Sequence, residues 1–450
     1  MINMIASETY DVESAIKKLE QEDVKYLRLI IVDIHGVPKS LIIKKDDFED
    51  ALTYGVGFDG SSIQGYAQIE NSDLIAIPDP STLTLAYWEE GKTAAAICDV
   101  YTPEYKQFPG DPRFILKRIV EQTSLRNLKV KVGIELEYFI VNKSVESEIK
   151  PQDSGQCFDT VPMDYGDDLK KRLGEIICRV GSSFEKMHHE VAPGQHELSI
   201  SATDPVRLAD IMIISKLAVK SIARKVGFTA TFMPKPFFGV NGSGAHVHVS
   251  LQSKEGKNLF YDKASNGLSQ LAIQFTGGIL SHAKGLSLLV APLVNSYKRL
   301  APGYEAPVYI CWGYSNRSTL IRIPRPIREK TCRIEYRHPD PSFNPYLGLA
   351  AIIASGLDGI DRKLNPGEPC QLNVYHAEDN FERLPENLHE AIIAFENDET
   401  VKRAIGKHAS SKIVELKKKE WNSYIESEGD WNSTKNKITA WEIQKYLERV

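Results

Sequence analysis

The stretch Gly-Ile-Glu-Leu-Glu at residues 133–137 alternates apolar residues with glutamates. The same alternation recurs in Gly-Ala-His-Val-His at 244–248 and in Cys-Arg-Ile-Glu-Tyr-Arg at 332–337. Successive side chains of a β-strand point to opposite faces, so each stretch predicts a strand with its carboxylate, imidazole or guanidinium groups on one face. Three such strands in one sheet would form a face whose polar side chains bind metal ions and phosphates.

The order of predicted elements indicates an α+β fold with two domains. A chain of 450 residues exceeds what one hydrophobic core usually serves. The segment Phe-Pro-Gly-Asp-Pro at 108–112 predicts a joint, which gives domains at 1–108 and 109–450. In the first domain we expect strands at 26–32, 40–43 and 93–100 and a helix at 12–22.

The second domain mixes strands and helices irregularly, which does not fit a doubly wound parallel sheet. Asp111-Pro112 and Asp204-Pro205 each place an N-cap before a proline at the first helical position. Helices are therefore expected from these points to about 126 and 227. Further helices are expected at 268–284, 345–362, 385–418 and 439–450.

Composition and charge argue against several classes of binding partner and against export or membrane insertion. The formal net charge is -5, so neither nucleic acid nor an anionic membrane is expected. The six cysteines form no Cys-x-x-Cys pair, which fits reduced thiols in a cytoplasmic chain. Residues 1–7 lack the basic segment followed by an apolar segment that is typical of a signal peptide. The longest apolar run, 286–294, is short for a membrane-spanning helix and is broken by Pro292. We expect neither export nor membrane insertion.

Four glutamates predict a site for divalent cations. Glu135 and Glu137 share a strand face, and Glu190 and Glu197 flank a Pro-Gly turn at 193–194. Four carboxylates cannot crowd together unpaired, and oxygen ligands favour Mg²⁺ or Mn²⁺ over zinc.

Simpler explanations exist for each motif by itself. One Glu-x-Glu strand is more often the solvated face of a half-buried sheet than a metal site. His246 and His248 are compatible with a structural role or with a zinc pair. The coincidence of three such strands in one chain favours the cation site.

A group of basic residues lies within the forty positions from 298 to 337. Arginine outnumbers lysine there, which favours bidentate capture of carboxylate or phosphate. Cations beside arginines are what phosphoryl transfer from ATP requires, although no P-loop motif is present. The group comprises Lys298, Arg299, Arg317, Arg322, Arg325, Arg328, Lys330, Arg333 and Arg337.

Taken together, the motifs resemble glutamine synthetase of the prokaryotic type I family. They are the stretches at 58–63, 133–137, 189–197, 241–248, 295–307, 316–324 and 333–337. The resemblance implies an N-terminal β-grasp domain and a catalytic domain with a curved antiparallel sheet flanked by helices. It also implies two stacked six-membered rings, a homododecamer, with active sites between adjacent subunits. The implied reaction is ATP-dependent ligation of ammonia to L-glutamate through γ-glutamyl phosphate.

The resemblance further implies a role for each matching residue, with two to three Mg²⁺ or Mn²⁺ ions per site. Ligands of the cation beside ATP would be Glu135, His246 and Glu335, and ligands of the cation beside glutamate would be Glu137, Glu190 and Glu197. Glutamate contacts would be Asn241, Gly242, Arg299 and Arg337. Nucleotide and phosphate contacts would be His248, Arg317, Arg322, Lys330 and Arg333. Asp59 matches the residue that binds and deprotonates ammonium, and Glu305 matches the flap carboxylate.

Three positions depart from the family pattern. Cys157 replaces a tyrosine near the ammonium pocket, so a γ-glutamyl ligase using another small amine is the main rival to the ammonia ligase. Glu382 replaces the tyrosine that one subgroup adenylylates, and Gln68 replaces an arginine of a feedback-inhibited subgroup; we expect neither control. The intact sets of metal-binding and arginine residues argue against a catalytically silent relative with a structural or regulatory role. A zinc-dependent hydrolase built on His246 and His248 would need zinc to support turnover without ATP.

Overall fold

The computed structural model describes residues 11–143, 149–264, 267–325, 327–376 and 381–450. The N-terminal stretch 1–7 lies outside these ranges. Contacts divide the chain into two compact units, Met1–Phe114 and Ile115–Val450. No helix in the described ranges is long and apolar enough to cross a membrane.

The first unit is built on a mixed six-stranded sheet in the order β2-β1-β6-β4-β3, with β5 paired to β6. Strand β1 runs parallel to β6, and the other pairs are antiparallel. Most side chains of β1 and β6 are buried, which explains their almost continuous apolar sequence. The elements are α1 (Val12–Gln21), β1 (Tyr26–Val32), β2 (Pro38–Lys44), α2 (Phe48–Tyr54), β3 (Val56–Asp59), β4 (Asp73–Pro78), β5 (Thr84–Leu85) and β6 (Thr93–Tyr101).

The strands and the helix predicted for this unit are confirmed within one or two residues. Helix α2 was not predicted, because its seven residues give too short an apolar period to read from sequence.

The second unit contains a nine-stranded sheet with the path β15-β16-β17-β12-β7-β10-β9, and β8 and β11 also pair with β7. All its pairs are antiparallel except β15 with β16. A separate ladder joins β13 to β14. The strands are β7 (Leu128–Lys143), β8 (Ile149–Pro151), β9 (Phe184–His189), β10 (Gln195–Thr203), β11 (Thr229–Thr231), β12 (Ala245–Ser253), β13 (Tyr261–Asp262), β14 (Gly267–Leu268), β15 (Trp312–Tyr314), β16 (Ile321–Ile323) and β17 (Ile334–Tyr336).

Helices flank this sheet: α5 packs on β7, β10 and β11, and α9 packs on α5, α6, α7 and α11. Both Asp-Pro helix starts are confirmed, with the Asp204 side chain accepting from the amides of Val206 and Arg207. The helices are α3 (Pro112–Leu125), α4 (Asp167–Arg179), α5 (Pro205–Lys225), α6 (Gln270–Ser281), α7 (Ala283–Val290), α8 (Ser296–Arg299), α9 (Pro345–Asp361), α10 (Leu388–Glu396), α11 (Glu399–Glu428), α12 (Trp431–Thr434) and α13 (Ala440–Tyr446).

The helix expected at 385–418 is instead a pair of helices. The first ends at Glu396 with Asn397 as its C-cap, and Asp398 caps the second by accepting from the amide of Val401. Gly406, at φ 80°, interrupts the second helix after its first turns. Helix α4 was not predicted.

Candidate active site

The central strands of the sheet bring the three alternating motifs together. In the register, His246 of β12 lies opposite Glu135 of β7, and Glu197 of β10 lies opposite Glu137. On the other edge of β12, His248 lies opposite Glu335 of β17. Four adjacent strands therefore present carboxylates and imidazoles on one face, as their alternation predicts.

The β9–β10 hairpin supplies the remaining glutamate. The amide of Glu190 donates to the carbonyl of Gln195 at 2.7 Å, which closes the turn. Gly194 has φ 67°, and a Cβ there would lie 2.8 Å from the carbonyl oxygen of Ile140. The turn thus requires glycine, and it places Glu190 beside the sheet face.

These residues surround a cavity that opens to solvent. The predicted site residues in its wall are Glu135, Glu137, Glu190, Glu197, Asn241, Gly242, His246, Arg299, Glu305, Arg317 and Arg337. Glu305 and Arg317 also line a second cavity, which is more open to solvent.

The carboxylates are crowded enough to disturb one another. Burial, with the charge of Glu190, raises the pKa of Glu137 to about 8. Burial, with the charges of Glu135 and Glu137, raises the pKa of Glu197 to about 7. Groups of this kind hold protons unless a cation balances their charge, so the donor set fits divalent cations.

The imidazoles complete this donor set. The Nε2 atom of His246 lies 3.2 Å from Glu137 Oε1, and that of His248 lies 3.3 Å from Glu135 Oε1. Burial and the charge of Arg337 lower the pKa of His246 to about 3, so its ring is neutral. A neutral imidazole among carboxylate oxygens suits Mg²⁺ or Mn²⁺.

Glu335 is the most enclosed of the carboxylates and is held by two arginines. Arg337 Nη1 donates to Glu335 Oε1 at 2.6 Å, and Arg322 Nη1 donates to Glu335 Oε2. Burial opposes ionisation most strongly, but the charge of Arg337 together with those of His248 and His246 outweighs it, and the pKa of Glu335 falls to about 2. Glu335 is therefore an anion whose position is fixed before any ligand binds.

Arg299 and Arg337 reach the cavity from a buried layer, where both side chains are almost wholly enclosed. Arg299 donates to the carbonyls of His338 and Arg337 at 2.8 and 3.1 Å. Arg337 Nη2 also donates to the carbonyl of Glu305 at 3.1 Å, which ties the turn at 301–307 to the site.

Five predicted residues of the second unit lie outside the cavity wall. Glu335 and Arg322 form the ion pair described above, and Arg333 Nε donates to His248 Nδ1 at 3.1 Å. Lys330 is an exposed residue of the turn before β17.

Asp59 belongs to the first unit, where it ends strand β3. Its exposed carboxylate accepts from the amide and hydroxyl of Ser61 at 2.8 and 2.6 Å and from the hydroxyl of Ser62 at 2.5 Å. The Ser61 and Ser62 hydrogen bonds lower the pKa of this group.

Cys157 lies beside the hairpin glutamate. Donor atoms of Cys157, His188 and Glu190 all lie within 4.8 Å of one another. Burial raises the pKa of the thiol, and the charges of Glu190 and Glu305 add to this effect. The thiol occupies less volume than a tyrosine would at this position.

Sequence reasoning missed four residues of the site. Gln195 Nε2 donates to Glu137 Oε2 at 3.0 Å and to the Gly242 carbonyl at 3.1 Å. Lys186 Nζ lies 3.2 Å from Glu197 Oε1, and His188 Nε2 lies 3.0 Å from Glu190 Oε1. Tyr304 lines the cavity. The signal for Lys186 and His188 was present, because they alternate along one strand that leads to Glu190.

Comparisons with known proteins point to one family. Residues 109–446 match "Glutamine synthetase, catalytic domain", and residues 23–103 match "Glutamine synthetase, beta-Grasp domain". The chain is 43% identical to a glutamine synthetase of Thermotoga maritima over 97% of this chain and 99% of the relative. It is 40% identical to one of Methanococcus maripaludis over 97% and 99%. The expected α+β architecture, with its N-terminal β-grasp domain, is thereby confirmed.

Two solved structures also resemble the chain over nearly its whole length. A structure titled as a GmaS/ADP complex aligns with a TM-score of 0.86 at 32% identity, covering 97% of this chain and 99% of that one. A ligand-free GmaS aligns with a TM-score of 0.84 at 32% identity, covering 96% and 99%.

Proposed function

The chain belongs to the glutamine synthetase family and is an ATP-dependent glutamate–ammonia ligase, and we propose which step of that reaction each site residue serves. The observation that carries the proposal is the cavity wall in which five glutamates, one imidazole and three arginines converge. Such a wall can hold cations, a phosphoryl group and an amino acid carboxylate together.

The family uses a divalent metal, and we assign two to three Mg²⁺ or Mn²⁺ ions to this site. Glu135, His246 and Glu335 would hold the cation beside ATP, and Glu137, Glu190 and Glu197 would hold the cation beside glutamate. When bound, these ions supply charge neutralisation for the transferring phosphoryl group. The raised pKa values of Glu137 and Glu197 support the assignment, because bound cations would replace the protons those groups otherwise hold.

The glutamate substrate would be held by cationic and backbone groups. The arginines 299 and 337 are fixed by carbonyl and carboxylate partners and keep free faces toward the cavity. Asn241 and Gly242 would add the loop contacts. On the ATP side the contacts would be His248, Arg317, Arg322, Lys330 and Arg333.

The chemical sequence follows from the reactivity of a carboxylate. A carboxylate is a poor acyl donor, so its γ-oxygen first attacks the terminal phosphorus of ATP, and ADP leaves. Arg317 would balance the charge of the γ-glutamyl phosphate, and Glu305 would close over it. Ammonium has no lone pair until it loses a proton, which Asp59 would accept. Ammonia then displaces phosphate and gives L-glutamine.

The test is ADP release with glutamate alone and with glutamate plus an amine. Glutamate plus ammonium should give ADP, phosphate and glutamine in equal amounts in the presence of Mg²⁺ or Mn²⁺. Glutamate alone should give only slow ADP release. Turnover with zinc and without ATP would instead support a hydrolase.

A second candidate is ligation of a larger amine, and two observations favour testing it. The structural neighbour GmaS is a γ-glutamylmethylamide synthetase. Cys157 also leaves volume beside Glu190 where the family commonly has tyrosine. If that volume admits methylamine or ethanolamine, Cys157→Tyr should suppress their use and spare ammonium, because bulk excludes the larger amine. A wild-type preference for a larger amine would make that reaction the main one.

We further propose a cytoplasmic homododecamer of two six-membered rings, with domains 1–108 and 109–450 meeting across subunits to form each site. A head-to-tail ring interface allows this arrangement. Asp59→Ala and Arg317→Ala should each be inactive alone, yet mixed rings should recover activity where intact copies of both residues meet. Verified mixed rings without glutamine formation would show that each site is built within one chain.

A further inference from the structure

We propose that Lys235 is a positioning residue that anchors both the loop at 240–244 and the turn carrying Glu305, and thereby sets the geometry of the glutamate end of the cavity. The inference rests on the proposed function, because the roles of that loop and of Glu305 are the ones proposed above. Lys235 itself is absent from the cavity wall.

The Lys235 ammonium is buried and contacts a carbonyl oxygen and an aromatic ring. The side chain is 1% exposed, and Nζ donates to the carbonyl oxygen of Val240. Nζ also lies 4.0 Å from the centre of the Tyr304 ring. Among the described residues no carboxylate oxygen pairs with it. A buried charge is costly unless it is well satisfied, so these two contacts carry the stabilisation of the ammonium.

The backbone of Lys235 is a fixed base for these contacts. Its amide donates to Asn295 Oδ1 at 2.7 Å, and its carbonyl accepts from Asn295 Nδ2 at 2.9 Å. Asn295 Nδ2 in turn donates to Glu442 Oε1 at 2.7 Å. Hydrogen bonds to Asn295 therefore fix the backbone of Lys235, and the Lys235 side chain positions the two segments that it contacts.

The first of those segments is the loop of Asn241 and Gly242. The amide of Ser243 donates to the carbonyl of Pro234 at 2.8 Å. A Cβ at Gly242 would lie 2.4 Å from that carbonyl oxygen and 3.1 Å from Lys235 Cδ. The loop is packed so closely on residues 234–235 that a change at Lys235 reaches it directly.

The second segment is the turn at 301–307. Tyr304 precedes Glu305, whose φ of 54° lies in the left-handed region. Arg337 Nη2 donates to the Glu305 carbonyl at 3.1 Å, and Tyr375 donates its hydroxyl to the Ala306 carbonyl at 2.8 Å. These bonds hold the part of the turn after Tyr304, whereas the contact with Lys235 holds Tyr304 itself.

Lys235→Met tests this role, because methionine keeps an unbranched apolar stem and removes the charge. We expect roughly a tenfold rise in the KM for glutamate, with a smaller change in kcat. A change of this size corresponds to the free energy of a desolvated cation–π contact. The share of phosphate released without amide formation should also rise, because a loose turn shields the intermediate poorly.

Lys216→Met is the matched control. Lys216 is another buried lysine that donates to a carbonyl, that of Pro341, and lies 5.4 Å from the centre of an aromatic ring, that of Phe232. Among the described residues, no hydrogen bond, ion pair or cation–π contact joins Lys216 to the loop or the turn. Its variant should lower thermal stability and leave both the glutamate KM and the phosphate-to-amide ratio unchanged.

Tyr304→Leu provides the second arm and a double-mutant cycle. If Lys235 acts through Tyr304, the double variant should show little further rise over either single one. Folded Lys235→Met and Tyr304→Leu proteins with wild-type KM and ratio, or fully additive effects, would overturn the inference. If Lys235→Met does not fold, Tyr304→Leu alone decides. A wild-type protein without glutamate-dependent ADP release would refute the proposed function instead.

Discussion

Replacing Glu442 with glutamine should destabilise the second unit strongly, because Glu442 and Lys298 form an ion pair with no exposed surface. Glu442 Oε2 accepts from Lys298 Nζ and from the amide of Thr439, and Oε1 accepts from Asn295 Nδ2. Both oxygens face donors, so either orientation of the glutamine amide places its NH₂ group against another donor. The lysine also loses its counter-charge while it remains buried.

The size of the effect follows from this burial. Removing one partner of a buried ion pair costs about 3–5 kcal/mol, whereas replacing both partners with neutral groups costs much less. The double variant Lys298→Met, Glu442→Gln should therefore recover a large part of the loss. Glu415→Gln is the surface control, because the Glu415–Lys419 pair is exposed and its loss should not be measurable.

Urea unfolding followed by tryptophan fluorescence measures these differences, since Trp431 and Trp441 lie beside Tyr424, which hydrogen-bonds to Lys298. The assembly state should be matched between variants, because subunit association contributes to apparent stability. A Glu442→Gln protein that unfolds at the wild-type urea concentration would refute the reasoning. So would a double variant that is no more stable than the single one.

Three further predictions concern the site and the helical layer. Glu135→Ala should lower glutamate-dependent ADP release by on the order of 10²-fold or more at saturating Mg²⁺, because the cation beside ATP loses a charged ligand; near wild-type turnover would show the assignment to be wrong. Glu305→Ala should raise ATP hydrolysis relative to glutamine formation, and an unchanged ratio of phosphate to amide would contradict the flap role. Burial alone would lower the pKa of His282, but hydrogen bonds to Asp398 and Asp358, at 2.8 and 3.0 Å, raise it on balance. A histidine whose pKa is higher in the folded than in the unfolded protein stabilises the fold at pH values below its unfolded pKa of about 6.5, and this stabilisation is lost as pH rises through its folded pKa. His282→Gln should therefore destabilise the protein more at pH 6 than at pH 9. Urea unfolding of the variant and the wild type at both pH values measures the difference.

Local patterns made much of the fold predictable. The alternation in the three motifs identified strands β7, β12 and β17 and the face on which their polar groups lie. Asp-Pro pairs located the starts of α3 and α5, because capping and the fixed φ of proline act within a few residues. The family itself was also recognisable, since its motifs are short and retained in order.

Long-range pairing made the rest unpredictable. The motifs named Glu335 as a candidate ligand and Arg322 and Arg337 as substrate contacts, but not the ion pairs that join these arginines to Glu335. They named Lys298 only as part of a basic group. Its actual partner is Glu442, 144 residues away. Nothing local in the sequence distinguishes a buried lysine such as Lys235 from a solvated one, because the environment comes from distant segments.

The amino-acid sequence by itself thus determined which residues share a strand face, where the main helices begin and which family the chain resembles. Those properties depend on side-chain periodicity and on capping within a few residues. Only the tertiary structure decided which charged groups face one another, which pKa values shift and which buried residues support the cavity wall. Those properties depend on distances between segments and on burial, and both arise when the sheet and its helices pack together.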